Sequence, residues 1–331
     1  MFSHSTNTVS FFSVLIATLI FSLPLPAVAA AQRNIEGTHA QHTGDGRHQK
    51  PKEAETLPSV PPRYRIEVIP TGSFILEQPR GIAIDQSDNI YIGNNLFNGT
   101  SQLLKIKSSG SVLAVANFPA FIGGLAINRK NNVFGSLDNQ TVFKLKNNNA
   151  ATFATGLPPF AAEQLAIDKK GNLFIAYFNA AVIAEVSRTA KVTSFASGFQ
   201  GPFGVAFKFN KLFVGDNQNI GNGPGVIDFI NKQGNVHARF GPIPGRIVDL
   251  EVDPLTRNFF IANQANGTVE VIAADGRITV FAKGFDEYPR EIEFDDEGKL
   301  YVADSSRLYK ITPPDQDDDD DDHRDREHRQ H

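Results

Sequence analysis

Residues able to move protons are scarce along this 331-residue chain. Four of its eight histidines precede residue 49 and three follow residue 322, which leaves His237 alone in the middle, beside a turn signal at Gly234-Asn235. There is no cysteine, so thiolate catalysis, disulfides and cysteine-bound zinc are excluded together. No serine stands in a Gly-x-Ser-x-Gly elbow. General acid or base work therefore falls to carboxylates, with Glu163, Asp249 and Glu291 the candidates, each needing burial to lift its pKa toward neutrality. Arg80 and Arg290 suit a different task, because two guanidinium groups facing one space oppose a cation and favour an anion or carboxylate. A third set, Asn94, Asp216, Asn263 and Asp304, offers the oxygen donors that a hard cation such as calcium takes. The same residue types also cap strand ends through local backbone hydrogen bonds, and both readings stay open. The expectation is that Arg80, Arg290, Asn94 and Asn263 contact a ligand, and that Asp216 and Asp304 offer a site for a divalent cation.

A repeat relates these positions. Residues 79–95 read Pro-Arg-Gly-Ile-Ala-Ile-Asp-Gln-Ser-Asp-Asn-Ile-Tyr-Ile-Gly-Asn-Asn: an apolar strand opened by Gly81, turn formers from Asp85 to Asn89, then a second short strand. The equivalents of Gly81 are Gly124, Gln164, Gly204, Asp249 and Glu291, at intervals of 43, 40, 40, 45 and 42 residues. Third and fourth strands follow in the copies, separated by turns such as Ser109-Gly110, Gln233-Gly234 and Asp275-Gly276. One hairpin cannot bury a core in water, whereas six such units can do so as a radial array. The predicted fold is all-β: a six-bladed β-propeller with four-stranded blades. The sixth copy stops after its third strand at Pro313-Pro314. Its missing strand is assigned to residues 65–69, since Glu67-Val68-Ile69-Pro70-Thr71-Gly72 resembles Thr279-Val280-Phe281-Ala282-Lys283-Gly284. That exchange closes the ring and removes a sheet edge. The first strands then line a channel. Arg80, Gly123, Glu163, Phe203, Val248 and Arg290, one residue before the aligned positions, should meet at its mouth with the residues leaving the second strands.

The flanks read differently. Residues 1–30 carry an apolar run and an Ala27-Val28-Ala29 pattern typical of a cleaved export signal, which leaves no integral membrane span and a secreted or periplasmic protein. Residues 31–62 are polar and aperiodic and read as a disordered linker, residues 63–314 as the propeller, and residues 315–331 as a disordered acidic tail. The tail holds eight Asp and one Glu against three Arg, so the chain's formal charge of -4 hides a remainder of +2. No basic stripe is visible along the sequence, which argues against nucleic acid as a partner. A monomer is expected.

With the repeat laid out, the copies resemble NHL-type repeats and the superfamily of six-bladed propellers that includes gluconolactonases and regucalcin-like proteins. Residues 79–85 with 89–92, and Leu300-Tyr301-Val302-Ala303-Asp304-Ser305-Ser306-Arg307-Leu308, carry the likeness, which covers residues 64–314. The resemblance implies a divalent metal near the channel mouth, held by a Glu and several Asn or Asp side chains, some directly before the motif glycine. At those positions this chain has Arg80, Gly123, Phe203 and Arg290, with Glu163 the one carboxylate. The expected function is an exported binding module for a small anionic ligand, a glycan or a protein. The alternative is a metal-dependent gluconolactonase-like hydrolase or isomerase acting on a lactone or related small molecule, with calcium the expected ion.

Overall fold

The computed structural model describes residues 56–159, 162–218 and 223–315. The expected export signal, residues 31–55 of the expected linker, and the tail from residue 316 lie outside the described residues. Six four-stranded antiparallel sheets form the blades of a propeller, with no helix among the described residues. Blade one runs through Gln78–Ile84, Ile90–Asn95, Ser101–Ile106 and Val112–Phe118. Blades two to five repeat that meander over residues 122–155, 165–197, 202–243 and 247–283. Blade six takes three strands from residues 291–312, and its fourth is Arg65–Val68, which pairs with Leu308–Thr312 in the register Arg65↔Thr312 to Val68↔Tyr309. The ring is thus closed by the first strand of the described chain, as the sequence predicts.

The blades form where apolar alternation is broken by a side-chain-stapled turn. The Oδ1 of Asp85 accepts the N–H groups of Ser87 and Asn89. Asn128, Asp168 and Asp295 repeat the device at the equivalent turns of blades two, three and six. These are Asx turns, in which a short polar side chain replaces a backbone acceptor. Blade four departs from the pattern: its first two strands, Pro202–Lys208 and Lys211–Asn217, are joined by only Phe209 and Asn210, both with φ positive.

Six hydrophobic clusters among the described residues hold the ring, each centred on the seam between two neighbouring blades, with Phe203 of blade four also joining the one between blades five and six. The cluster joining blade six to blade one contains Ile82, Ile92, Leu104, Tyr301, Ala303 and Leu308. Bulky packing falls to phenylalanine. Phe174 contacts Phe195 within blade three and Phe207 of blade four, at centroid separations of 4.9 and 5.3 Å. Polar clamps reinforce the seams. Asn95 donates to the Ile122 carbonyl and accepts the Ile122 N–H at 2.9 and 2.8 Å, and Asn217 does the same to Ile247, at 2.8 Å for both bonds. Inner strands touch so closely that a Cβ on Gly81, whose φ is +67°, would lie 2.5 Å from the Leu125 nitrogen.

Order begins earlier than the composition of residues 31–62 suggests. Ser59 forms an isolated bridge with Lys283 on the outer strand of blade five, and Val60 packs on the cluster between blades five and six. An apolar side chain among prolines is enough to dock a segment that has no periodicity. His237 sits on the outer strand of blade four, stacked on Phe229 at 4.9 Å, away from the channel mouth. Among the described residues no helix is long and apolar enough to cross a membrane.

Candidate functional site

The mouth of the channel is shaped by bulges in the inner strands. Register slips fall between Arg80 and Ile82, Ile122 and Leu125, Pro202 and Val205, and Ile247 and Asp249. A bulge bends its strand and re-aims a side chain, and these four lie at or beside the residue preceding each aligned position. Arg80, Phe203, Val248 and Arg290, four of the six residues expected there, line one cavity of about 150 Å³ together with Arg246, Gln264 and Tyr288. Glu163 is joined to it through Arg80.

Aromatic rings seat the cations. The Arg246 guanidinium lies 4.9 Å from the Phe203 centroid and 5.5 Å from that of Phe178, Arg80 stands 5.8 Å from Phe203, and Arg290 4.8 Å from Tyr288. Stacking on a ring fixes a guanidinium plane while leaving its edge free to donate. The Arg80 Nη1 donates to Glu163 Oε2 at 3.5 Å and lies 3.8 Å from Glu291 Oε1. Arg290 pairs with Glu287 at 3.0 Å. The Nε atoms of Arg246 and Arg290, and both carboxylate oxygens of Glu291, are buried without a hydrogen-bond partner among the described residues.

The carboxylates divide by depth. Of the three candidates, Glu163 keeps 13% of its side chain exposed, against 1% for Glu291. Desolvation raises its pKa, and Arg80 and Arg246 pull the other way. Glu291 is fully buried and pushed well above the carboxylate range by desolvation and then by Asp249, with Arg80 opposing. Desolvation lifts Asp249 to about 7, although both its oxygens accept backbone N–H groups, from Leu250 and from Ile292 of the next blade, each at 2.8 Å. Asp249 is thereby a seam residue between blades five and six. Two residues further along the same strands, Glu251 and Glu293 are raised well above the usual range, by desolvation first and then by neighbouring carboxylates.

The structure gives the four residues after the second strands a capping role. Asn94 accepts the Glu77 N–H and donates to the Ile75 carbonyl. Asp216 accepts the N–H groups of Gln200 and Gly201. Asn263 donates to the Pro244 carbonyl and to Glu270. Asp304 accepts from the N–H groups of Asp286, Ser306 and Arg307 and from the Tyr309 hydroxyl. Each ties down its own blade's entry loop or strand turn, and none lines the mouth cavity. Asp304→Ala, which strands these donors, should lower stability by about 3 kcal/mol. Urea unfolding with and without calcium checks this: a calcium-dependent stabilisation that the substitution abolishes would assign Asp304 to a cation instead.

The divalent cation implied by the family resemblance does not fit the mouth. Three guanidinium groups surround the space, and the carboxylates beside it, Glu163 and Glu287, are each paired with one of them. Among the described residues no group of three or more His, Asp or Glu side chains stands close enough to hold a metal ion. Arg246, Tyr288, Gln264 and Phe178 are the mouth residues that the repeat alignment misses. Arg246 and Tyr288 each lie three residues before an aligned position, in entry loops whose length varies between copies, so alignment on the strands says nothing of where they point.

No family model matches the sequence, and no curated protein matches it. Solved structures do match in shape. A gluconolactonase from Xanthomonas campestris superposes with a TM-score of 0.63 at 13% identity, over 78% of this chain and 95% of its own. The calcium-binding protein regucalcin from Agrobacterium tumefaciens gives 0.59 at 15%, over 74% and 94%. Virginiamycin B lyase from Staphylococcus aureus gives 0.58 at 14%, over 75% and 99%. At such identities the likeness is one of architecture, and it settles the architecture: the chain is a six-bladed β-propeller of the form seen in gluconolactonase- and regucalcin-like proteins.

Proposed function

We propose that the channel mouth is the active site of a small-molecule hydrolase, opening a lactone or related ester that bears an anionic group. The observation that carries this reading is Glu163: a carboxylate of raised pKa, still reachable, hydrogen-bonded to Arg80 at 3.5 Å beside a cavity edged by Arg246 and Arg290. A desolvated carboxylate next to guanidinium groups is the pairing that acid–base hydrolysis needs. Glu163 takes a proton from a water molecule as the water oxygen bonds to the carbonyl carbon. The guanidinium of Arg246 or Arg80 steadies the oxyanion. When the ring C–O bond breaks, Glu163 returns the proton to the leaving alkoxide, and the product is a hydroxy acid. Glu291, buried behind Arg80, positions that arginine and touches no substrate. The gluconolactonase among the solved neighbours supports the same reaction class.

A panel of five- and six-membered lactones assayed by proton release tests the reading. Glu163→Gln should lower kcat by at least about 10²-fold with the melting temperature unchanged, and Arg246→Ala should lower kcat and kcat/KM together. Turnover undiminished in Glu163→Gln would overturn it. A second reading, a binding module for a small carboxylate, is favoured by the unpartnered Nε atoms of Arg246 and Arg290. It predicts carboxylate binding that Glu163→Gln leaves intact, with no lactone turned over.

A further inference from the structure

The face opposite the mouth carries the turns between first and second strands and between third and fourth, all at one end of the ring. Over blades two to four this face is basic. Blade two presents Arg129, Lys130 and Lys146 there, all exposed. Blades three and four add Lys169, Lys170, Arg188, Lys211 and Lys232, also exposed. None of these eight forms an ion pair among the described residues, and the acids beside them are Asp168, whose Oδ1 staples its own turn, and Glu185, which lines the neighbouring groove.

At one edge of this surface stands Phe209, 74% exposed at the tip of the two-residue turn of blade four, with φ of 50°. Such turns take Asn or Gly, because a bulky side chain is strained in the left-handed region. Phe209 borders two grooves. One, of about 620 Å³, is floored by Phe174, Phe195 and Phe207 and rimmed by Lys169, Lys170 and Lys232. The other, of about 490 Å³, is lined by Phe213, Phe229 and Phe259.

We propose that this face rests on an anionic lipid surface, with Phe209 entering the boundary between headgroups and acyl chains. A broad array of lysines and arginines free of ion pairs, bordered by one protruding aromatic, is the arrangement that anionic bilayers attract. Nucleic acid fits less well: stacking on bases needs a row of exposed aromatics, and here the remaining phenylalanines form groove floors. The mouth lies on the other end of the ring and would stay open to solvent.

Co-sedimentation of the full chain with vesicles of phosphatidylglycerol and phosphatidylcholine, against phosphatidylcholine alone, tests the proposal. Binding should require the anionic lipid and weaken with salt. The double substitution Lys169→Glu and Lys170→Glu should lower partitioning on the order of tenfold or more. Phe209→Gly, which suits the turn better than phenylalanine and so keeps the fold, should also lower partitioning several-fold. Absence of binding to the anionic vesicles, or binding indifferent to both variants, overturns the proposal. Tighter binding to a duplex oligonucleotide than to the vesicles, lost in the same lysine variant, overturns it in favour of nucleic acid.

Discussion

Deleting residues 63–72 should abolish the cooperative unfolding of the whole domain rather than trim one edge. Arg65–Val68 pairs along four residues with the third strand of blade six, and Ile69 donates to the Leu308 carbonyl at 2.7 Å. Ile66 and Val68 pack on the cluster between blades five and six, while Ile69 packs on the cluster between six and one. Tyr64 meets Phe281 edge to face at 5.1 Å. Withdrawing four half-buried apolar side chains and a ladder of hydrogen bonds costs about 5 kcal/mol. The total stability of a domain is roughly 5–15 kcal/mol. The deletion also bares the third strand of blade six as a new edge, inviting aggregation. Thermal melts followed by circular dichroism would show this as a lost or much broadened transition. A melting temperature equal to that of the intact chain would mean that the ring holds without its closing strand.

Raising the pH from about 5 to about 8 should destabilise the folded protein, against the usual trend for carboxylates. Asp249, Glu251, Glu291 and Glu293 all have folded-state pKa values above their unfolded ones, with desolvation the first cause in each. The sign follows from proton binding: the folded state holds protons that the unfolded state releases. Their contribution is therefore complete below the unfolded carboxylate values and is lost as the pH climbs through the folded ones. For Asp249, lifted from 3.8 to about 7, the loss is on the order of 4 kcal/mol across that interval. The cation facing this group is Arg80, which opposes the rise in Asp249 and Glu291 and is already engaged with Glu163. Glu251→Gln and Glu293→Gln should each flatten the dependence, making the variants more stable than the parent at pH 8 and similar to it at pH 5. Urea midpoints at the two pH values decide the matter. Stability that is level or rising over that range would show that the channel carboxylates are solvated and titrate normally.

The repeat made the architecture readable because each blade restates the same strand, turn and strand, and because the aligned positions coincide in space. Gly81, Gly124, Gln164, Gly204, Asp249 and Glu291 occupy equivalent places, and Gly204 approaches blade five as Gly81 approaches blade two. Closure by residues 65–69 was readable for the same reason. The site was readable in part. Arg80, Glu163 and Arg290 could be placed at the mouth from their offset alone, whereas Arg246 sits in a loop of irregular length where strand periodicity carries no information. The polar residues after the second strands show the opposite problem. Their types suit a cation and a cap equally, and only their partners, such as the four donors around Asp304, separate the two. The basic face was hidden because its residues come from turns some 40 positions apart.

Since the apolar clusters sit at the seams between blades, shape is inherited through those seams, and the ring of residues at the inner-strand bulges shares in holding it where Phe203 and Val248 enter the cluster between blades five and six. Gly123 is likewise fixed, since a Cβ there would run into the Ala162 carbonyl oxygen. Chemistry at the mouth can therefore be rewritten at Arg80, Glu163 and Arg290, and a new activity on such a scaffold is a matter of those side chains rather than of a new fold.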